Sequence, residues 1–297
     1  MDDCLWLGDL TDIAIQLASI FQTTKPELHD PALLVFAGDH GFLEDEEVDA
    51  GAFLSSNSVV HRAAQSAGLK LQLIDSGLRA PMDNMVDYWI YRESGFLPRK
   101  IQAATRNLIH EAAMTTSECH AAIAAGVSVV EQRYYAGCNA LALTGTGTGS
   151  LHAARMLIAV LRNEPLVRML PAQLKRISLN KQLQRAINRH PTTHDPVTNL
   201  TLFGGFETAM LTGAILQAAH RQMFVLLDGL PAFAALEAAR TMHPTVEHYV
   251  CMAQRLGREP AFERKPIAYV QETHLNDGRG LGAALAMPAI NSVLHCL

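Results

Sequence analysis

The feature that most constrains this fold is a series of short, largely apolar runs that end in glycine or an acidic residue. Examples are 33–37, 139–143 and 223–227. Runs of this length and composition are typical of strands buried on both faces, as in parallel sheets. Segments with helical periodicity separate them, such as 116–135. The alternation predicts an α/β fold, with a mostly parallel sheet that carries helices on both faces.

Periodicity and strand propensity predict individual elements. Helices are predicted at 10–21, 58–67, 116–135, 151–161, 179–188, 206–220 and 280–294, and a further helix is predicted after 223–227, with Pro231 in its first turn. Strands are predicted at 33–37, 69–74, 86–91, 139–143, 223–227 and 267–270. Pro288 is expected to kink or divide the last helix, because proline removes a backbone donor.

Four of the predicted strands end in small or acidic residues. These ends are Asp39, Asp75, the Thr/Gly run 144–150, and Asp228. In open parallel sheets, ligands bind in the crevice beyond the carboxyl ends of the strands. The sequence therefore predicts one site at that edge, to which all four ends contribute.

Composition excludes several classes of protein. Apolar residues make up 49% of the 297 residues and charged residues 18%, which supplies a core and excludes disorder and coiled coils. The net charge of −5 argues against nucleic-acid partners. No apolar stretch approaches the ~20 residues of a membrane span, and the start lacks a basic signal-peptide region. A cytoplasmic protein without membrane partners is expected.

The Thr/Gly run is a candidate anion site, because it joins a predicted strand to a helix. Gly145, Gly147, Gly149 and Ser150 lie in this run, which is neither a Walker loop nor a GxGxxG motif. Backbone N–H groups at such a turn favour phosphate or ribose contact. The alternative is a tight turn without a ligand.

Polar residues beside predicted strand and helix ends are further candidates. Asp39 is a candidate to orient substrate hydroxyls and His40 to donate to a phosphate, or the two simply form a strand-end turn. Asn180 and Lys181 form a candidate phosphate clamp, or a helix N-cap with a solvated lysine.

Two glycines and a carboxyl group begin the helix predicted at 206–220. Gly204 and Gly205 precede Glu207, where the helix dipole favours a charged carboxylate, although a first-turn glutamate is also common without function.

No metal site or cofactor is expected. Pro191 disrupts the spacing of His190 and His194, and neither an HExxH motif nor a Cys/His cluster occurs. The five cysteines contain no CxxC pair, so neither a disulfide framework nor a zinc ribbon is indicated.

An ordered set of short stretches resembles one enzyme family, the nicotinate-nucleotide:dimethylbenzimidazole phosphoribosyltransferases of cobalamin assembly. No single stretch is specific, but the order spans most of the chain. The matching stretches are 7–8, 37–41, 67–68, 74–77, 105–108, 112–115, 180–181, 204–207, 212–213, 226–229 and 278–288.

The resemblance implies a fold and a reaction. It implies one phosphoribosyltransferase domain over 1–297, with a small helical lobe from roughly 1–30 and the C-terminal helix. The implied reaction displaces nicotinate from the ribose C1 of nicotinate mononucleotide by a nucleophilic base. Implied partners are that nucleotide, an aromatic base or phenol acceptor, and a second subunit, either an identical copy or a family paralogue. The substrate contacts implied include Asp39, Lys181 and Asp228.

Two departures from the family pattern bear on activity. The position of the family's general-base glutamate is Arg279, and the family's GExG-type loop has become the Thr/Gly run. Arginine stays protonated in proteins and cannot act as a base. Glu207 is then the nearest remaining candidate.

Three hypotheses follow from these departures. The first is transfer to a dimethylbenzimidazole-like or phenolic base in cobamide biosynthesis. The second is a catalytically impaired subunit of a heterodimer, and the third is a nucleotide-binding protein without transferase activity.

Overall fold

The computed structural model describes residues 10–43, 48–80, 95–170, 178–190, 193–256, 268–271, 275 and 279–295. Across these residues, seven strands form one sheet in the order β3-β2-β1-β4-β5-β6-β7, and every pairing is parallel. The strands are β1 (Ala32–Gly38), β2 (Lys70–Gly77), β3 (Phe96–Pro98), β4 (Ala140–Thr146), β5 (Phe224–Asp228), β6 (Val250–Gln254) and β7 (Tyr269–Gln271). The predicted parallel α/β fold is confirmed.

Ten α-helices lie in the described part of the chain. They are α1 (Leu10–Phe21), α2 (Ala50–Leu54), α3 (Val59–Ser66), α4 (Thr116–Tyr135), α5 (Ser150–Leu161), α6 (Ser178–Arg189), α7 (Pro196–Phe203), α8 (Phe206–His220), α9 (Gly229–Met242) and α10 (Leu281–His295). The described residues also include two 3₁₀ helices, Leu166–Met169 and Pro244–Tyr249.

Alternate residues of β1, an interior strand of the sheet, enter two separate cores. Leu34 and Phe36 pack under α4, α5, α7, α8 and α9, on what we call the α8 face of the sheet. Leu33, Val35 and Ala37 pack under α1, α2, α3 and α10, on the α10 face. Every residue of β1 is buried, which explains why the strand reads as a continuous apolar run.

The terminal helices α1 and α10 pack on one another within the α10 face. The assignment of the chain to one domain with a terminal helical lobe stays a prediction.

The predicted elements match the structure closely, with differences at their ends. Strand β4 continues to Thr146 and β2 to Gly77, so residues expected in loops complete the sheet. Pro288 lies inside the single helix α10, which it does not divide. The strand predicted at 86–91 lies outside the described residues.

Two α-helices and two strands were not predicted from the sequence: α2, α7, β3 and β6. All of them are short, so they show little periodicity. Helix α7 nevertheless has a start signal, because Asp195 caps it and Pro196 is its first residue.

None of the described helices combines the length and apolar character needed to cross a membrane.

Helices α4 and α8 cross with their backbones in contact. A Cβ atom on Gly126 would collide with the carbonyl oxygen of Met210, and one on Gly213 with that of Ile123. Glycine is therefore required at both crossing positions, and α8 is held directly over the sheet.

Alanine at either crossing glycine is predicted to destabilise the protein. Gly126→Ala and Gly213→Ala should each lower the free energy of unfolding by about 1–3 kcal/mol, because the helices must separate. Urea denaturation measures this change. Ser128→Ala, at an exposed position of α4, is the control and should stay within about 0.5 kcal/mol of the parent. A higher free energy of unfolding in either alanine variant, as expected at an uncrowded helix position, would contradict the backbone contact at the crossing.

Candidate active site

Asp39 joins three segments at the carboxyl edge of the sheet. Its side chain is fully buried, with Oδ2 accepting from the backbone N–H of Arg79 at 2.8 Å and Oδ1 from that of Thr148 at 2.9 Å. Its backbone N–H donates to the carbonyl of Gly77, and its carbonyl accepts from Thr105 N–H. The carboxyl group predicted to orient substrate thus binds the main chain after β2 and β4.

The Thr/Gly run is fixed against β1. The backbone N–H of His40 donates to the carbonyl of Thr148 at 2.9 Å, beside the bond to Asp39. A Cβ on Gly147 would collide with the carbonyl oxygen of Gly38, so the two backbones touch. Two N–H groups of the run, those of Thr148 and Ser150, bind acceptors within the protein.

The end of the run begins helix α5. Gly149 is its N-cap residue in the left-handed conformation, with φ of 83°, and no side chain caps the helix. Gly145 lies within β4, where it faces Glu207 and Pro231.

His40 and Glu207 form a buried pair across the end of β1. His40 Nε2 lies 3.0 Å from Glu207 Oε1, which also accepts from the hydroxyl of Thr208 at 3.0 Å. Both side chains have zero exposure. Both residues were predicted from the sequence as candidate site residues, but their pairing was not, because they lie 167 positions apart.

The glycines around Glu207 make room for its carboxyl group. A Cβ on Gly205 would collide with Oε2, and one on Gly38 would lie 3.0 Å from it. Oε2 and His40 Nδ1 have no hydrogen-bond partner among the described residues. Buried orphan atoms of this kind are uncommon and call for an explanation. A paired imidazole and carboxyl group can hold and exchange a proton.

Asp228 lies at the same edge but on the opposite face. Its Oδ1 accepts from Gln254 Nε2 at 3.0 Å, and its Oδ2 from the backbone N–H of Ala283 at 3.2 Å. Asp228 therefore contacts the start of α10, whereas Glu207 lies on the α8 face. The predicted convergence of carboxyl groups on one edge is observed, but the sheet separates these two.

Asn180 and Lys181 lie near the start of α6, which packs against α5. Asn180 is buried and Lys181 is exposed. Asn180 is the third residue of the helix, so the alternative that it serves as the N-cap was wrong. Gly204 lies between α7 and α8, where its N–H donates to the carbonyl of Leu200.

Arg279 is exposed and directly precedes Gly280 and α10. Gly280 has a φ of 92° and lies against the side chain of Leu33 on the α10 face.

Three cations at this edge were missed by the sequence analysis. Arg79 Nη2 donates to the carbonyl of Leu43 at 3.0 Å, and Lys100 Nζ lies 3.3 Å from Asp75 Oδ2. Burial raises the pKa of Asp75, against the opposing effects of a backbone N–H and Lys100. Nothing in the sequence near these residues identifies their partners.

The third cation, Arg106, orders the segment before α4. It forms a bidentate ion pair with Glu118, at 2.7 and 3.0 Å. This bond holds the pKa of Glu118 down at about 2.

Among the described residues, no three His, Cys, Asp or Glu side chains are grouped as metal ligands.

A family profile described as "Phosphoribosyltransferase" matches residues 5–297. The chain belongs to this family. It is 33% identical to the nicotinate-nucleotide–dimethylbenzimidazole phosphoribosyltransferase of Cupriavidus necator, over 96% of this chain and 85% of the relative. It is 29% identical to the enzyme of the same name from Bacteroides fragilis, over 98% and 87%.

A solved structure supports the same kinship. The crystal structure of the enzyme of that name from Thermus thermophilus superimposes with a TM-score of 0.82, at 26% identity, over 98% of this chain and 89% of that chain. The family resemblance seen in the sequence is confirmed.

Replacement of Asp39 by asparagine is predicted to loosen the edge. In Asp39→Asn, an amide NH₂ must face one of two buried N–H donors, at a cost of about 1–3 kcal/mol. Urea denaturation measures the loss, and hydrogen exchange should rise at Arg79 and Thr148. Asp12→Asn, at an exposed site on α1, is the control. Unchanged exchange at both amides would show that the two bonds do not hold the edge.

Proposed function

We propose that this chain transfers the phosphoribosyl group of nicotinate mononucleotide to an aromatic acceptor in cobamide biosynthesis. The observation that carries the proposal is the His40–Glu207 pair, buried beside the Thr/Gly run in a chain whose relatives bear this activity. We further propose that the protein is cytoplasmic and works as a dimer, of identical chains or with a family paralogue.

The reaction exchanges one bond at ribose C1. The acceptor atom bonds to C1 as the bond from C1 to the pyridinium nitrogen breaks, and nicotinate leaves with that electron pair. The acceptor proton passes to a base or to water. Positive charge grows on the ribosyl group, and carboxyl groups at this edge favour it. Two carboxyl groups adjoin the run: Asp39 Oδ1 accepts from the N–H of Thr148 at 2.9 Å, and Glu207 Cγ lies 3.5 Å from a Cβ built on Gly145.

Arg279 favours acceptors that ionise without help. By resemblance it stands where relatives carry the general base, and a guanidinium cannot take a proton at working pH. An acceptor that reaches the site as an anion needs no base, and its charge is attracted by the guanidinium. A phenol, with a pKa of ~10, must still lose its proton to water, but a nearby guanidinium favours the ionised form, so a phenol depends less on a protein base. Glu207 is the alternative proton acceptor, but its zero exposure requires the edge to open first.

The nucleotide phosphate is assigned to Lys181 and the start of α5. The N-terminus of α5 is uncapped by any side chain, and its dipole favours an anion. Helix α6, which carries Lys181, packs on α5. Lys181 extends from the exposed side of that helix.

Removal of the lysine is predicted to weaken nucleotide binding. Lys181→Ala should raise the Kd for nicotinate mononucleotide about ten- to a hundred-fold, as expected for loss of a charged phosphate partner. Isothermal titration calorimetry measures it. Arg185→Ala removes an exposed cation one turn along the same helix, and should change the Kd little. Equal effects of the two variants would point to general electrostatic attraction and remove the assignment.

Restoring the carboxylate is predicted to restore use of dimethylbenzimidazole. Arg279→Glu should raise its turnover by up to ~100–10,000-fold, the range of general-base catalysis. The control is Arg279→Gln. Glutamine has the shape of glutamate but no carboxylate to accept a proton, so this variant should show no gain in dimethylbenzimidazole turnover. A gain shared by both variants would mean that the arginine merely obstructs the acceptor.

A second function is favoured by the same residue. An arginine at the base position and a Thr/Gly run without glutamate also suit a subunit that supports an active paralogue. Co-expression with a family member that has the intact Gly-Glu-Gly tests this. Activity in the mixed dimer that exceeds that of the paralogue alone, with none in this chain alone, would favour the subunit role.

A further inference from the structure

Asp228 binds the start of α10 from another strand end. Its Oδ2 accepts from the N–H of Ala283, in the first turn of that helix, while Oδ1 accepts from Gln254 Nε2. Asp228 is 1% exposed, so these bonds form away from water. An acidic group at a helix N-terminus also gains from the helix dipole. Asp228 thus acts as a cap supplied by β5.

Gln254 extends the same contact to a residue before α10. Its Nε2 donates to the carbonyl of Leu275 at 2.7 Å, and its Oε1 accepts from the N–H of Leu275 at 2.8 Å. These two hydrogen bonds resemble the pair that two residues exchange in a β-sheet. Leu275 and Ala283 each lie four residues from Arg279 along the chain. The chain is therefore fastened at equal distances on both sides of Arg279.

The backbone is shaped to allow this fastening. A Cβ on Gly282 would lie 2.5 Å from Asp228 Oδ1 and 2.8 Å from Gln254 Nε2, so only glycine permits the approach. Gln271 Nε2 adds a bond to the carbonyl of Gly282 at 3.0 Å. Side chains from β5, β6 and β7 therefore meet at the start of α10.

We propose that Asp228 and Gln254 are positioning residues for Arg279. They hold the main chain on either side of it, so that an exposed guanidinium keeps a fixed place beside the end of β5. The consequence of this positioning for acceptor choice rests on the proposed function, whereas the positioning itself does not.

The positioning is tested by the accessibility of the chain at Arg279. Asp228→Asn and Gln254→Met each remove bonds of the anchor at similar side-chain volume. In the full-length protein, amide hydrogen exchange across 275–284 and tryptic cleavage after Arg279 should each become about tenfold faster, as for loss of one buried hydrogen bond. Asp195→Ala removes a cap from α7 instead, and should leave both rates unchanged.

Kinetics then separate positioning from a structural role. Gln254→Met should raise KM for the acceptor and leave KM for nicotinate mononucleotide unchanged. Asp228→Asn should also raise KM for the acceptor, and only that constant is compared for it, because Asp228 is itself an implied substrate contact. In an Arg279→Ala background the two anchor variants should have no further effect on the acceptor, because the residue they place is gone. Effects that add in full would mean that Asp228 acts independently of Arg279.

The outcomes distinguish failure of the anchor from failure of the proposed function. Faster exchange and cleavage at 275–284, without activity towards any acceptor, support the anchor and count against the proposed function. Parental rates in both variants overturn the anchor whatever the activity. Should Asp228→Asn fail to fold, Gln254→Met alone decides, since it leaves the carboxylate of Asp228 in place.

Discussion

The buried carboxyl group of Asp39 is the constraint on which the rest of the site depends. A carboxylate removed from water must find donors, and Asp39 finds them in the main chain after β2 and after β4. Three strand ends are thereby fixed to one another. The adjacent bond from His40 N–H to Thr148 fixes the Thr/Gly run, and the His40 side chain then reaches Glu207. One side chain thus sets the positions of the others.

Close contacts explain several glycines at this edge of the sheet. Gly147 touches Gly38, Gly205 leaves space for the carboxyl group of Glu207, and Gly282 lies against Asp228. In each case a Cβ would collide with a polar group. These glycines serve the polar edge on both faces of the sheet, with Glu207 on the α8 face and Asp228 on the α10 face.

Much of this architecture could be predicted from the sequence, because burial on both faces leaves a continuous apolar run. The run at 33–37 identified β1, and the pair Gly204-Gly205 marked the start of α8. The pairings could not be predicted. His40 and Glu207 are distant in sequence, and Asp228 reaches a helix 55 residues later. Local patterns carry no information on such contacts, so the edge was predictable and its division between two faces was not.

The difference between buried contacts and surface positions accounts for the change from the family pattern at position 279. Fold and kinship depend on buried contacts such as those of Asp39, which this chain has. Position 279 lies at the surface and contributes little to the core, so its residue can change without loss of the fold. The structure of a transferase is therefore compatible with a changed acceptor.

The central claim is that this chain breaks the bond between ribose and nicotinate in favour of an acceptor. The most direct measurement is release of nicotinate from nicotinate mononucleotide by the purified protein, with and without p-cresol or dimethylbenzimidazole. Mass spectrometry identifies the product. The account predicts acceptor-dependent release, faster with the phenol, and a ribosyl phosphate joined to that acceptor. Binding of the nucleotide without acceptor-dependent release from any phenol or benzimidazole would contradict it.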